Sequence, residues 1–456
     1  MNALKQNSNF KWLMRGGVIS LLGDQLTMIA LPWLVLKLTG DTLALGLVIA
    51  LMSIPRALFI LIGGALVDRY SPKRVLMLTK YANAALLALL ALLVLNADST
   101  PSVALTDTVS LTIALTPQLT LHLIYALALA IGLAQAFSIP SGTSIMPQAI
   151  PPEHLQAANG MMMGLRQVSM LVGPLLAAGL LALAGHGKGA LSDARGLALA
   201  FGIDCFSFLL SAWTLSHVRG LRTPSPDMAS TELAPAGASA AGASAARAPA
   251  QSVLRAVGAG LRMVWDDVPL RLCFIYWGTV SLLIGGAMQV AIPVLASELH
   301  GASTLGIMMG AHGAGTLLGM GVAAKFGTRL RFAEFGVMIL LVDGVAGLLV
   351  APLGLVQSVW QACLLMLTLG LLAGFMQINV FTWIQRRVPP HMMGRAMSIF
   401  MFIFMGLAPL SAAATGWILT LVTLSQLFLG GGIILVLFAA GAYLFTPIRG
   451  IVSTTP

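Results

Sequence analysis

Twelve long apolar runs constrain this chain more than any other feature of its sequence. Each run is about 20 residues or longer, so that a helix rising about 1.5 Å per residue would cross a hydrocarbon core of roughly 30 Å. The runs cover residues 14–37, 43–67, 75–95, 119–145, 156–184, 197–218, 270–296, 303–325, 334–352, 357–384, 393–421 and 426–446. Only 9% of the 456 residues are charged and 58% are hydrophobic, too few charges to cover a surface in water. We therefore predict an all-α, multi-pass membrane protein with twelve transmembrane helices.

The basic residues indicate how these helices are oriented. Of the 25 Lys and Arg residues, three lie on one side of the predicted membrane, at Lys37, Lys188 and Arg195, and two lie in mid-span. The other 20 of the 25 lie on the opposite side or at the span ends there. Because cytoplasmic loops carry the excess of positive charge, we predict that the N-terminus, the central linker and the C-terminus are cytoplasmic. The expected location is a bacterial inner (plasma) membrane.

Charge, cysteines and motifs exclude several function classes. The net charge of +10 is scattered between the apolar runs, which argues against a nucleic-acid partner. Cys205, Cys273 and Cys363 have no paired spacing, so the sequence indicates neither a disulfide framework nor a metal site. It contains no HExxH, no Gly-x-Ser-x-Gly and no Gly-rich phosphate loop. We expect neither an enzyme with catalytic residues nor a resident cofactor.

A segment of different composition divides the chain. Residues 221–251 are rich in Ala, Ser, Pro and Gly and predict a flexible cytoplasmic linker. After it, apolar residues at helical spacing predict a helix on the inner membrane surface, with an extension of the seventh span as the alternative. These residues are Val253, Leu254, Val257, Leu261, Val264 and Trp265. The predicted domains are a six-helix bundle at 1–220, the linker and surface helix at 221–266, and a second six-helix bundle at 267–456.

An internal repeat relates the two bundles. Residues 20–38 match residues 281–299 without a gap and with seven identities, which include Pro32 with Pro293. Two further matches follow in the same order, from Gly63 with Gly319 and from Gly132 with Gly370. Such a duplication predicts two bundles related by a pseudo-two-fold axis, with a substrate cavity between them at mid-membrane.

The loop after the second span resembles the signature loop of the major facilitator superfamily. The matching residues are Gly64, Asp68, Arg69, Lys73 and Arg74. The resemblance implies that Asp68 docks against the start of the eleventh span near Gly394 and latches the halves together on the cytoplasmic side. A plain positively charged loop is the alternative. Ser71-Pro72 departs from the family pattern, and the second copy has Ala324 at the Asp position.

A second motif lies in the fifth span. Gly173-Pro174, followed by Ala177-Ala178, resembles the antiporter signature of the drug exporters in that superfamily. Gly and Ala permit close helix approach, and Pro removes a backbone hydrogen bond and bends the helix. The resemblance implies export; a kink that serves only packing is the alternative.

Charged residues at membrane depth are costly and therefore informative. Five remain in mid-span after the loops are assigned: Asp24, Arg56, Arg166, Asp204 and Asp343. The family fold implies that the first, second, fourth and fifth spans of each half line the cavity, which makes Asp24, Arg56 and Arg166 candidates for proton coupling. A static bridge between Asp24 and an arginine is the alternative. The candidate polar residues of the cavity are Gln25, Gln135, Gln167, Gln289, His312 and Gln377.

The remaining mid-span groups are assigned to packing. Asp204 and Asp343 lie on spans that the family fold places outside the cavity, so we expect them to bond to neighbouring helices. His312 could shuttle protons, but a single His among glycines more often takes part in packing.

Two stretches refine the resemblance. Residues 22–33 (LGDQLTMIALPW) and 202–208 (GIDCFSF) are similar to the bacterial branch of the superfamily that contains macrolide-efflux proteins and enterobactin exporters. That branch implies proton-coupled export of amphipathic organic compounds by alternating access. An uptake permease for a small metabolite is the alternative. The implied partners are a small-molecule substrate, protons and the lipid bilayer, and we expect a monomer.

Overall fold

The structure is a computed structural model that describes most of the chain. The described residues are 7–69, 71–96, 102–106, 109–112, 116–184, 194–219, 258, 260–299, 301–326, 334–389 and 392–452. The predicted linker at 221–251 and the first part of the predicted surface helix lie outside these residues. Residues 260–266 are helical, and Asp267 caps a new helix by accepting a hydrogen bond from the Leu270 amide at 3.0 Å.

Twelve long helices make up nearly all of the described chain, one for each predicted span. The first six are α1 (Ser8–Thr39), α2 (Thr42–Arg69), α3 (Pro72–Asn96), α4 (Pro117–Ala149), α5 (Pro152–Ala184) and α6 (Ala194–Ser216). The second six are α7 (Val268–Leu299), α8 (Ala302–Phe326), α9 (Phe335–Val350), α10 (Val359–Arg387), α11 (Met393–Gly406 and Ala408–Ile418) and α12 (Leu424–Phe445). The all-helical fold with two six-helix halves is therefore confirmed.

Eleven of the described helices are long and apolar enough to cross a membrane. In α2 the segment Thr42–Arg56 is a shorter apolar stretch, but the whole helix has 28 residues and is roughly 42 Å long at about 1.5 Å per residue. The sequence did not predict a small antiparallel hairpin between α3 and α4, formed by β1 (Ser102–Thr106) and β2 (Val109–Thr112). It also did not predict the π-helical turn at Ala287–Ala291 inside α7.

Small residues set the contact between α1 and α6. A buried stripe on α1 consists of Gly16, Ser20, Gly23 and Thr27, at helical spacing. It faces a buried polar stripe on α6 that consists of Asp204, Ser207, Ser211 and Thr214. A Cβ at Gly23 would collide with the side chains of Asp204 and Ser207. The two helices therefore approach closely because α1 carries no bulky side chain on this face.

The repeated glycines occupy equivalent positions in the two halves. A Cβ at Gly132 on α4 would collide with the backbone carbonyl of Met52 on α2. A Cβ at Gly370 on α10 would collide in the same way with the carbonyl of His312 on α8. The match between Gly132 and Gly370 in the sequence thus marks the same backbone contact in each half.

The two halves meet along two seams. In one seam, Thr42 on α2 donates a hydrogen bond to the Gly416 carbonyl of α11 at 3.1 Å. In the other, a Cβ at Gly306 on α8 would collide with Pro174 and Ala178 on α5. Thr42 begins α2 and Gly416 lies near the end of α11, so this contact closes the bundle at the end opposite the N-terminus.

Candidate functional site

Asp24 lies near the middle of α1 and faces basic residues on three other helices. Its carboxylate interacts electrostatically with Lys80 on α3, Arg56 on α2 and Arg166 on α5. Asp24 and Arg56 are half-buried, whereas Arg166 is exposed. No described Lys or Arg lies within ion-pair distance of Asp24, so the structure brings the three predicted residues into one neighbourhood without locking them into a bridge.

Arg56 is held by polar groups of its own half. Its guanidinium donates to the Gln135 side-chain oxygen on α4 at 3.2 Å and to the Ser53 hydroxyl at 3.4 Å. Gln135, predicted as a polar residue of the cavity, therefore positions an arginine. Pairing with a neutral amide keeps the full positive charge of Arg56 available to a mobile anion or to Asp24.

The glycine and proline of α5 lie where α5 contacts two other helices. Gly173 accommodates the side chain of Gln25 from α1, because a Cβ there would collide with it. The Pro174 carbonyl and Ala178 face Gly306 of α8 in the opposite half. The motif thus forms part of the seam between the halves, at the level of Asp24 on α1.

The other predicted polar residues lie on helices that flank this seam. Gln167 donates to the sulfur of Met320 on α8 at 3.0 Å, which links the two halves. His312 is half-buried, and among the described residues nothing hydrogen-bonds its imidazole; its carbonyl accepts from Thr316 at 2.9 Å. Gln289 is half-buried on the π-helical turn of α7, and Gln377 is half-buried on α10. Short π-helical turns are frequent at functional sites.

The predicted latch is described only in part. Gly64, Asp68 and Arg69 lie in the last two turns of α2, and Gly394 is the second residue of α11, but their side-chain surroundings are outside the described residues. Arg74 is exposed. Lys73 donates to the carbonyls of Ser216 and Val218 at 3.1 and 2.7 Å, a contact within the N-terminal half that caps the end of α6. Docking of Asp68 on α11 stays a prediction.

Asp204 bonds to its neighbouring helix. Its carboxylate accepts from the Thr27 hydroxyl of α1 at 2.5 Å and from the Ser207 hydroxyl at 2.9 Å. The side chain is buried, with 1% of the residue exposed. It also interacts electrostatically with Asp24 and Lys80.

Lys80 is a further charged residue of this region that its position near a cytoplasmic span end did not predict. The structure buries it two turns inside α3, with 9% of its surface exposed. Its ammonium group lies 3.4 Å from the Ser20 hydroxyl and 5.5 Å from the centre of the Phe208 ring. A usable signal was present, because Thr79, Lys80 and Asn83 form a polar patch at helical spacing within an apolar run.

Asp343 is the buried acid of the second half. It lies on α9 within electrostatic reach of Tyr276 on α7, whose ring stacks on Phe438 of α12 at a centroid distance of 5.2 Å. The Tyr276 hydroxyl is buried and makes no hydrogen bond within 3.5 Å to a described residue. This position contains one acid and no basic group in the described part of the chain.

Two repeated six-helix halves with charged residues at mid-membrane define a membrane transporter. Residues 13–413 match the sequence profile of the Major Facilitator Superfamily. The chain therefore belongs to that superfamily, as the signature loop suggested.

Similar proteins agree with this assignment. The enterobactin exporter EntS of Salmonella choleraesuis (strain SC-B67) is 23% identical over 397 residues, which cover 87% of this chain and 82% of the relative. A D-xylose-proton symporter structure superposes with a TM-score of 0.68 at 14% identity and covers 98% of this chain and 99% of its own. The nucleoside transporter NupG gives 0.63 at 14% identity, with coverages of 94% and 98%. At these identities the two structures show a shared fold.

Proposed function

We propose that this transporter exports amphipathic organic compounds in exchange for protons and that Asp24 binds the exchanged proton. The observation that carries the proposal is the placement of Asp24, a half-buried acid on α1 that faces basic side chains of α2, α3 and α5 without a fixed ion pair to a described residue. A change in solvent access or in the distance to these cations changes how strongly such an acid holds its proton. Alternating access supplies both changes.

The same site supports a substrate that carries negative charge or polar oxygens. Arg56 and Arg166 provide two cations near one acid, and Arg56 is held by neutral partners. When Asp24 is protonated, these arginines are free to attract an anionic group. The relative is named an enterobactin exporter, which makes a siderophore of this kind a reasonable first substrate to test.

The orientation of the protein in the membrane is part of this proposal. With the N-terminus cytoplasmic, the Thr42–Gly416 contact closes the bundle on the outer side. The test uses intact cells that carry single cysteines at Ser239 or Ser453. A membrane-impermeant thiol reagent should leave both cysteines unlabelled until the cells are permeabilised. Labelling of both cysteines in intact cells would overturn the proposed orientation.

The coupling test compares wild-type protein with Asp24→Asn in proteoliposomes. Enterobactin and a macrolide serve as probes, and each is measured in uphill export, in downhill exchange and in substrate-induced proton release. We expect Asp24→Asn to lose uphill export and proton release but to keep downhill exchange, because the cavity remains and only the exchangeable proton is gone.

Two outcomes would contradict the proposal. A variant that folds well and still releases protons would exclude Asp24 as the carrier. A static bridge predicts instead that unpaired arginines at mid-membrane, which cost roughly 2.5 to 3.5 kcal/mol each on the insertion scale, lower the amount of folded protein. Accumulation of the probe with protons moving inward together with it would establish uptake by the wild-type protein.

A further inference from the structure

The ionisable groups between α1, α3 and α6 extend the site away from the cavity. Asp204 is almost fully buried, with 1% of the residue exposed, and its two carboxyl oxygens are 2.5 and 2.9 Å from the hydroxyls of Thr27 and Ser207. Within the described ranges no cation lies at ion-pair distance from it. An ionised carboxylate is costly in such a place, while a protonated acid that donates to one of these hydroxyls and accepts from the other is not.

Lys80 has unused hydrogen-bonding capacity beside this acid. An ammonium group has three donors, and the described part of the chain provides one acceptor at 3.4 Å, the Ser20 hydroxyl, together with the Phe208 ring. Both Asp24 and Asp204 lie within its electrostatic reach. One helical turn further on, the side-chain oxygen of Asn83 is buried and has no hydrogen-bond partner among the described residues. Lys80 can therefore move between acceptors without leaving the cluster.

Asp24 and Asp204 approach the cluster from different environments. Asp204 of α6 bonds to Thr27, which follows Asp24 by three residues, so Asp204 lies beside the turn of α1 that carries Asp24. Asp24 is half-buried, whereas Asp204 is 1% exposed and Gly23 packs directly against its carboxylate. One acid can exchange protons with the cavity, and the other cannot do so directly.

We propose that Asp24 and Asp204 share one proton and that Lys80 is the counter-ion of whichever carboxylate is ionised. The proposal rests on the proposed function and adds to it a second proton-binding residue on a helix outside the cavity. When Asp24 is ionised, the proton resides on Asp204, and the ammonium group of Lys80 neutralises the Asp24 carboxylate. When the proton moves, the O–H bond of Asp204 breaks, an O–H bond forms on Asp24, and the ammonium turns toward Asp204. Lys80 keeps its protons, no electron is transferred, and the net charge is unchanged.

The charged and titratable groups that face this pair come from all of the helices around it. Arg56 of α2 and Arg166 of α5 act on Asp24, Lys80 of α3 acts on both acids, and Cys205 follows Asp204 on α6. The two arginines favour an ionised Asp24 in this conformation. A movement of α2 or α5 away from α1 during the transport cycle weakens that preference and drives the proton to Asp24, from which it can reach the cavity.

Infrared spectroscopy of the full-length protein in lipid nanodiscs tests the proposal without any substrate. The carbonyl stretch of a protonated carboxylic acid is measured at neutral pH for wild type, Asp204→Asn, Asp24→Asn and the double variant. We expect Asp204→Asn to lose one such band. We also expect Asp24→Asn to lose the same band, because Lys80 is then left with Asp204 as its acidic partner and Asp204 ionises. The double variant should lose the same single band as either single variant and no further band.

The two possible failures are distinguishable. Loss of the band in Asp204→Asn but not in Asp24→Asn means that Asp204 is a static packing acid and overturns the sharing of a proton. No loss in Asp204→Asn overturns the proposal as a whole. A wild-type protein that releases no protons with either transport probe would contradict the proposed function. The infrared measurement uses no substrate, so it would still test whether the two acids share a proton.

Lys80 and Ser207 supply variants that keep both acids. Lys80→Met should add one protonated-acid band, because the cation that holds one carboxylate ionised is gone, and Lys80→Arg should restore the wild-type spectrum. Ser207→Ala should shift the Asp204 band without removing it, since one hydroxyl partner is lost. An unchanged spectrum in folded Lys80→Met would show that Lys80 is not the counter-ion.

Discussion

The first, third and sixth helices of each half pack together, and the two halves differ in what they bury there. In the N-terminal half, the interior between α1, α3 and α6 holds Lys80 and Asp204 with hydroxyl partners. In the C-terminal half, Tyr276 of α7 stacks on Phe438 of α12, and Asp343 is the acid beside them.

Aromatic packing continues through the second half. Phe335 of α9 stacks on Trp383 of α10 at 4.7 Å, and Trp277 of α7 contacts both Trp383 and Phe400 of α11, at 6.3 and 5.8 Å. Offset and edge-to-face ring pairs of this kind stabilise a fixed arrangement. The two halves therefore differ in what lies between equivalent helices. Under the proposed function, variants at the charged groups of the first half should alter coupling, and variants in the aromatic packing of the second half should alter stability.

The largest effect, on the amount of folded protein, is expected at the glycine contact that both halves share. Gly132→Leu and Gly370→Leu should each cause a severe loss of folded protein, because a side chain at either site meets a backbone carbonyl of the neighbouring helix. Overpacking typically costs about 1 to 3 kcal/mol and occasionally more, and the high end is expected here because the obstacle is backbone rather than a side chain that can turn away. The amount of monodisperse protein after size-exclusion chromatography measures the effect. Gly321→Leu is the matched control, since nothing lies within 4 Å of a Cβ there. Tolerance at one of the two sites would show that the duplicated contact is not equivalent.

The next effect is on the transport rate and distinguishes the signature loop of the first half from its copy in the second half. Asp68→Asn should retain normal expression but impair transport, because the amide lacks the charge that favours a facing helix N-terminus by about 0.3 to 1 kcal/mol. Initial rates of probe efflux per amount of folded protein provide the measurement. Ala324→Asn, an exposed site at the equivalent position, should transport normally. A wild-type efflux rate in Asp68→Asn would exclude the prediction that Asp68 latches the two halves together.

An effect on stability rather than on transport compares the beginnings of α1 and α7. Asn7 caps α1 through the Phe10 amide at 3.1 Å, whereas Asp267 caps α7 and also bonds the Arg387 guanidinium at 2.9 Å. Loss of a cap costs about 1 kcal/mol, and a partly exposed ion pair adds up to about 1 kcal/mol. Asp267→Ala should therefore lower the thermal unfolding midpoint more than Asn7→Ala. The control is Arg262→Gln, which breaks an exposed pair with Asp266 and should change nothing. Equal midpoints for the two cap variants would mean that the Arg387 pair contributes nothing.

The smallest effect is expected at the buried acid of the second half. Asp343→Asn should retain substrate-induced proton release, because no basic residue in the described part of the chain compensates this acid. Tyr276→Phe should be neutral or slightly stabilising, since it removes a buried hydroxyl that lies near Asp343 but makes no hydrogen bond within 3.5 Å to a described residue. Proton release in proteoliposomes and thermal unfolding check the two variants. Loss of proton release in Asp343→Asn would place a coupling acid in both halves and end the contrast drawn between them.

The candidate site was only partly predictable, and the reason is rotation about the helix axis. Asp24, Arg56 and Arg166 lie at mid-span on helices that the family fold implies line the cavity, and the structure brings them into one neighbourhood. Lys80 was missed because it lies about two turns from the start of α3, where a long side chain can reach either the membrane surface or the protein interior. Only the packing of α3 against α1 and α6 decides between them.

The sequence by itself determined the number of helices, the duplication and the family. Every membrane span must satisfy its own backbone hydrogen bonds, so it requires a long apolar run that is visible in the sequence. Tertiary structure decided which polar groups meet: Arg56 with Gln135, Asp204 with Thr27, and Lys80 with Ser20. These pairs are 60 or more residues apart in the chain, and their contact depends on how each helix is rotated and shifted against its neighbours. Hydropathy does not encode that rotation, because lipid-facing and protein-facing sides of a membrane helix are both apolar.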